Sequence, residues 1–302
     1  MKITRYEMFK QLQRMALIAC LFGLQPLWAI SFVLPAKDDI IGEVQYVNPE
    51  MGETLSEVGM RYDVGYYEMV RANPKINPMS LLDEHTTLLI PSQFILPAVP
   101  HEGIVINLAE YRLYYFPPDE NIVITMPVGI GREGWTTPVG ATKIISKEKN
   151  PVWRPTTNLL RHAAKHGIQI PGEFPAGEDN PLGKHVLRLG WPTYLIHGTN
   201  RRDGVGTRVS AGCIRMMPED IEYLFNLVKV GTPVRVLNNP VKFGYLNGKL
   251  YIQIHPPLAE QKRGELRTLV ETQLKQITVS NINKNEIQAE LKSPSGVPKK
   301  IS

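Results

Sequence analysis

Ile104-Val105-Ile106-Asn107-Leu108, Arg112-Leu113-Tyr114-Tyr115-Phe116 and Ile122-Val123-Ile124-Thr125-Met126-Pro127-Val128 follow one another with only short polar breaks. Pro117-Pro118-Asp119-Glu120-Asn121 joins the last two runs as a hairpin loop. Short β-branched and aromatic runs with no helical pattern between them argue for an antiparallel β domain. Downstream, Ala141 to Ser146, His185 to Leu189, Thr193 to Ile196 and Val234 to Leu237 continue the strand series. A single helix interrupts it, opening at Pro218-Glu219-Asp220 and carrying Ile221, Leu224, Phe225 and Val228 on one face. Gly129-Ile130-Gly131 is not a dinucleotide fingerprint, because no helix follows it. The expected fold class is mainly β, with a small α+β unit in front.

The chain has 302 residues, 43% apolar and 21% charged, an ordinary globular balance with room for more than one domain. Of the net +5, Lys2, Arg5, Lys10 and Arg14 against Glu7 contribute +3, so the rest of the chain carries +2. No basic stripe interleaved with aromatics remains, which argues against nucleic acid as a partner. The basic start followed by apolar Met15 to Leu24 has the form of a signal peptide over residues 1–29, with cleavage after Leu27-Trp28-Ala29. Export follows from it, with lipidation at Cys20 or an uncleaved anchor as the alternatives. There are two cysteines, Cys20 and Cys213, so cleavage leaves Cys213 alone. An odd thiol in an exported protein points to a reactive group.

Residues 43–92 read as strand, helix, helix, strand. Thr54-Leu55-Ser56-Glu57 is a capping box, and Asn73-Pro74 stops the second helix. Gly52-Glu53-Thr54-Leu55, Tyr62-Asp63-Val64, Arg71-Ala72-Asn73-Pro74 and Leu88-Leu89-Ile90-Pro91 resemble a LysM domain, which implies binding to N-acetylglucosamine chains of bacterial walls. Gln93 to Gly103, with Pro97 and Pro100, reads as a stiff linker to a catalytic domain over 103–238. Asn150 to Gly183 is long and irregular, a lid over the site. His162 and His166 share a helical spacing but lack the carboxylate of a metalloprotease helix, so no metal and no cofactor is expected. Leu246-Asn247-Gly248-Lys249 marks a hairpin over 239–257, and the charged tail 258–302 reads as partly helical and disordered at Ser293-Pro294-Ser295-Gly296.

The chemistry concentrates in Tyr194 to Arg215. An apolar run delivers His197, Gly198-Thr199-Asn200 turns the chain, and a polar loop ends in Ser210-Ala211-Gly212-Cys213-Ile214-Arg215. A thiol near a base is the minimum for covalent acyl transfer. An imidazole lowering the thiol pKa to about 6–7 would raise the thiolate fraction roughly ten- to twenty-fold. Main-chain donors of Ala211-Gly212-Cys213, aimed at the oxyanion, are each worth about 10²–10³ in rate. Arg215 suits a substrate carboxylate, which its guanidinium can bind at both oxygens.

His197-Gly198-Thr199-Asn200 followed by Ser210-Ala211-Gly212-Cys213-Ile214-Arg215 resembles the L,D-transpeptidase (YkuD-type) signature. Asn107-Leu108-Ala109-Glu110, Thr137-Pro138-Val139-Gly140 and Pro181-Leu182-Gly183 extend the likeness. The resemblance implies a β-sandwich for the catalytic domain, Cys213 as nucleophile, His197 as base and then acid, and the Gly198 carbonyl orienting the imidazole. Ser210, Ala211, Gly212, Arg215, Thr199 and Asn200 would contact substrate, and Ala211 stands where many members carry histidine. The resemblance implies a periplasmic location and, as partners, peptidoglycan stem peptides and an outer-membrane lipoprotein as acceptor; the unpaired exported thiol itself calls for a thiol reductase there. A wall-peptide carboxypeptidase or thiol peptidase and an inactive wall-binding module are the alternatives.

Overall fold

The computed structural model describes residues 30–261 and 263–302; the signal-peptide reading of 1–29 lies outside them. Its strands in chain order are β1 (Ile30–Val33), β2 (Ile40–Gly42), β3 (Gln45–Val47), β4 (Leu88–Ile90), β5 (Gln93–Ile95), β6 (Gly103–Asn107), β7 (Arg112–Phe116), β8 (Ile122–Pro127), β9 (Ile130–Gly131) and β10 (Gly140–Lys149). They continue with β11 (His185–Leu189), β12 (Leu195–His197), β13 (Arg208–Ser210), β14 (Ile214–Arg215), β15 (Pro233–Leu237), β16 (Val241–Leu246), β17 (Lys249–Ile254) and β18 (Lys299–Lys300). The helices are α1 (Leu55–Arg61), α2 (Tyr66–Ala72), α3 (Thr157–Lys165), α4 (Pro218–Leu227), α5 (Arg263–Leu274) and α6 (Lys284–Lys292). Among the described residues no helix is long and apolar enough to cross a membrane.

One sheet organises the molecule, in the order β1-β8-β7-β6-β15-β10-β11-β12-β14. It turns over on β10, whose first half pairs with β15 and whose second half pairs with β11, with a register shift between Ile144 and Ser146. A bulge adds a local bend and twist at such a point. The two leaves then face each other: Ile104, Ile106, Leu113 and Met126 from one share a core with Leu187, Leu189, Ile196 and Ile214 from the other. The face of α4 made by Ile221, Leu224, Phe225 and Val228 closes that core. On the opposite side of the first leaf, Val105, Tyr114, Phe116 and Val123 form a second core with Ile41, Phe94 and Leu96. Strand alternation therefore distributes residues between two cores, which is why these strands read as continuous apolar runs.

The unit in front pairs β3 with β4 and folds α1 and α2 over Leu55, Val58, Met69, Leu88 and Ile90. Thr54 caps α1 through the Glu57 N–H, completing the box. The expected linker is partly a strand instead. β5 pairs with β2, because Phe94 and Leu96 have an apolar surface to cover.

The tail departs furthest from expectation. Leu266 and Val270 of α5, Ile287 of α6 and Ile301 are buried against Val241, Leu250, Ile252 and Ile254 of the β16–β17 hairpin. β18 adds a strand to β17. The disorder expected at Ser293–Gly296 is corrected: Ser295 N–H and Oγ both bond the Glu290 carboxylate at 3.0 Å, and Gly296 N–H donates to Ile254 O.

Candidate active site

β12 and β14 lie side by side and parallel, with Ile196 opposite Ile214 and His197 opposite Arg215. Side chains alternate across a strand. Ile196 and Ile214 go into the inter-leaf core, while Leu195 and Cys213 pack together on the other side. By the same alternation His197 and Arg215 fall on the Cys213 face, so an imidazole, a thiol and a guanidinium converge there.

His197 is buried, and its Nδ1 sits 2.6 Å from Gly198 O. A carbonyl only accepts, so Nδ1 carries the proton and Nε2 keeps its lone pair. Burial first, then the Arg215 charge, lowers the imidazole pKa to about 4. The Cys213 thiol points at Thr193 O, 3.5 Å away. Burial pushes it up to about 11, against a backbone hydrogen bond at Leu195 and the Arg215 charge. The resting pair is thus neutral on both sides, and the thiolate expected from a neighbouring imidazole is absent. Desolvation outweighs the attraction that would stabilise the ions.

Ser210 pins the cysteine turn: its Oγ donates to Cys213 O at 2.5 Å and accepts from Gly212 N–H at 3.1 Å. Gly212 N–H is therefore already engaged and is not the free oxyanion donor that the sequence suggested. Ala211, half-buried, completes the turn. Gly212 has φ 104°, and a Cβ there would sit 2.8 Å from Tyr194 Cε1, so the position needs glycine twice over. Thr137 Oγ1 braces the turn from outside, donating to Gly212 O at 2.9 Å and accepting from Gly131 N–H at 3.2 Å.

Arg215 makes no ion pair among the described residues, and its buried Nε has no partner. Burial lowers its pKa, against the Asp203 charge. A cation held this way is ready for an anion. Thr199 and Asn200 serve their own loop instead: Thr199 Oγ1 bridges Arg201 N–H and O at 2.9 Å, and Asn200 Nδ2 bonds Asp179 O at 3.2 Å.

The segment expected as an irregular lid contains α3, capped by Thr156. Asn180 gathers its strands by donating to Pro151, Phe174 and Pro175 carbonyls and accepting from Leu182 N–H. His162 of α3 and His166, which caps its C-terminus, pack with ring centroids 4.4 Å apart and tilted by 41°, and His162 meets Trp135 edge-on. Among the described residues no cluster of three His, Cys, Asp or Glu could hold a metal.

Two residues at the thiol escaped the sequence reading. Thr193, placed in a strand by its pattern, has φ 69° and precedes β12. A β-branched residue there is strained, and its carbonyl is the one that receives the thiol. Tyr194 walls Gly212 and meets Trp191 edge-on. Pro192 in Trp191-Pro192-Thr193-Tyr194 was the available turn signal.

The sequence profile of YkuD, the L,D-transpeptidase catalytic domain, matches residues 101–236. The chain is 42% identical over 233 residues to the probable L,D-transpeptidase YcfS of Escherichia coli, covering 75% of this chain and 72% of that one. It is 38% identical to the probable L,D-transpeptidase ErfK/SrfK of Salmonella typhimurium, over 91% of this chain and 92% of that one. A solved L,D-transpeptidase from Mycobacterium smegmatis superposes with a TM-score of 0.34 at 21% identity, covering 53% and 70%. The identity to the Escherichia coli and Salmonella typhimurium proteins over more than two thirds of their lengths leads to one conclusion: the chain belongs to the YkuD-type L,D-transpeptidase family.

Proposed function

We propose that Cys213 is the nucleophile of a two-step acyl transfer on peptidoglycan tetrapeptide stems, with His197 as general base and then general acid. What supports this reading is the single face that Cys213, His197 and the unpaired Arg215 share on two parallel neighbours. Because both groups rest neutral, the thiol proton passes to His197 Nε2 as Sγ attacks, rather than beforehand. Attack falls on the carbonyl joining diaminopimelate to the terminal D-alanine. The C–N bond breaks, His197 returns the proton to the departing amine, and a thioester remains on Cys213. An acceptor amine then attacks, gives its proton to Nε2, and releases the thiol. Cys213 N–H is the first candidate for the oxyanion, since Gly212 N–H is held by Ser210. Such a donor contributes about 10²–10³ in rate. Arg215 binds a stem carboxylate.

An amine of a second stem would give a 3–3 cross-link, a lipoprotein lysine would anchor that protein to the wall, and water would give a carboxypeptidase. The periplasm is the setting, with residues 1–29 as leader, residues 43–92 as a LysM-like unit ahead of the catalytic domain 103–238, and a thiol reductase keeping Cys213 reduced. The test is mass spectrometry of the protein beginning at Ile30, incubated with disaccharide-tetrapeptide beside Cys213→Ala. D-Alanine loss with a dimer or amine adduct, absent in the variant, is expected. Loss to water alone would favour the carboxypeptidase or thiol peptidase, and no acyl-enzyme at all would leave a wall-binding module.

A further inference from the structure

Ile30, first residue of β1, has its main-chain nitrogen 3.2 Å from Asp63 Oδ2. Strand pairing fixes the same placement independently, setting Ile30 opposite Thr125 of β8. Asp63 stands in the turn between α1 and α2 with φ 55°. Asp220, in the first turn of α4, is 4% exposed and its Oδ2 has no partner. Asp63 is the charge that weighs most on Asp220. The basic groups in reach are taken. Arg112 holds Glu68 at 2.7 and 2.8 Å and the Asp63 carbonyl at 3.0 Å, while Arg202 holds Glu219 at 2.6 and 3.0 Å. Asp63 thus meets the Ile30 nitrogen, Asp220 stands within reach of the Asp63 charge, and among the described residues neither carboxyl makes an ion pair. Burial accordingly pushes Asp63 up to about 6, and Asp220 well above its ordinary value.

That nitrogen becomes the α-amino group of the chain left by cleavage after Ala29. We infer that removal of residues 1–29 turns Ile30 into a functional terminus: its α-ammonium is the missing cation, bound by Asp63 and Asp220 in an ion pair that holds α4 against the His197 loop. In the uncut chain the amide offers one donor and no charge, whereas the ammonium offers three donors and a full charge. The path to the site is short. Ile221, beside Asp220, lies 3.1 Å from where a Gly198 Cβ would be, and Gly198 O holds His197 Nδ1. From the Asp63 side, Tyr67 N–H donates to Gly206 O at 3.3 Å, tying α2 to the loop before Cys213.

The inference rests on cleavage at Ala29 and not on turnover, so its test uses neither stems nor acyl transfer. Three chains are compared: one beginning at Ile30 with a free amine, the same chain acetylated at that amine, and one with Gly-Ser ahead of Ile30. The free-amine chain should melt about 3–6 °C above the other two, the shift expected when a modest local interaction is gained in a domain of this size. Nitrogen-labelled Ile30 should titrate at least one pH unit above the ordinary α-amino range of about 7.7–8.0. Asp63→Asn and Asp220→Asn should each lower the melting temperature of the free-amine chain but not of the acetylated one. Cys213 alkylation by iodoacetamide should differ several-fold between free and acetylated chains. Equal melting temperatures with an ordinary α-amino titration would overturn the inference, as would an exported protein whose first residue is not Ile30.

Discussion

Glu110, in the turn after β6, and Arg112, the first residue of β7, flank Tyr111; both are wholly buried and each pairs with a different unit. Arg112 meets Glu68 of α2 through Nε and Nη2 at 2.7 and 2.8 Å. Glu110 meets Lys242 of β16 at 2.8 Å and accepts from Tyr114 OH at 2.7 Å. One hairpin turn therefore pins the unit in front and the unit behind with charge pairs of opposite polarity. Their surroundings differ. Around Arg112 there is surplus carboxylate, with Asp63 and Asp220 both raised by burial. Around Glu110 there is a surplus base: His255 lies 4.0 Å away with both ring nitrogens unpartnered, and burial drives it down to about 3. Acid should act on the two junctions in opposite directions. A carboxyl with a raised folded pKa binds more protons folded than unfolded, so in a chain with no ammonium at Ile30 acidification below about 6 relieves a penalty at the front junction. A histidine held neutral binds fewer, so the rear junction loses stability as the pH falls below about 6.5.

The largest expected effect is at Arg112. Replacing it with Met leaves Glu68 buried without its bidentate partner, a change that costs about 3–5 kcal/mol. Urea unfolding reads it, and a second change, Glu68→Leu, should recover much of the loss, because removing both charges removes the desolvation problem. Lys242→Met should cost less, about 2–3 kcal/mol, near the lower end for a broken buried pair. Glu110 would keep the Tyr114 hydroxyl and could draw a proton onto His255. That rescue needs acid, so the loss should be larger at pH 8 than at pH 6. Equal, pH-independent losses at the two sites would break the comparison.

Much of this contrast was invisible in the sequence, for a physical reason. The sandwich strands announce themselves because both faces of β6, β7 and β8 are buried, giving apolar runs that need no partner to be recognised. The reactive stretch was legible because glycine, serine, cysteine and histidine sit close together along the chain. Glu110, Arg112 and Lys242 look like ordinary surface charges, and only a partner 44 residues or more away makes them core. The tail failed similarly. Its buried Leu266, Val270, Ile287 and Ile301 are few and scattered among charges, and they become a face only when the hairpin supplies the other half of the core. The neutral resting state of Cys213 and His197 was missed because desolvation belongs to the assembled site and not to neighbours in sequence.

The smallest effect isolates the sign. His255→Gln should change stability little at pH 8, where the imidazole is neutral in both folded and unfolded chains. Between about pH 6.5 and 4 it should flatten the acid loss, by at most ~1.4 kcal/mol per pH unit for the one proton removed from the balance. His197, whose folded value is about 4, contributes the same sign and keeps part of the slope in place. His162 and His185 are also held below the ordinary histidine value by desolvation, so the variant that isolates the carboxyls changes His162, His185, His197 and His255 all to Gln. The carboxyls at the front junction then dominate, and stability should rise on acidification from pH 6 toward 5. That variant, acetylated at Ile30 so that no ammonium pairs Asp63 and Asp220 and followed by urea unfolding at half-unit steps, therefore shows a reversed slope if the two junctions are opposed. If its stability still falls with acid, Asp63 and Asp220 are not the proton-binding groups that their unpaired surroundings make them.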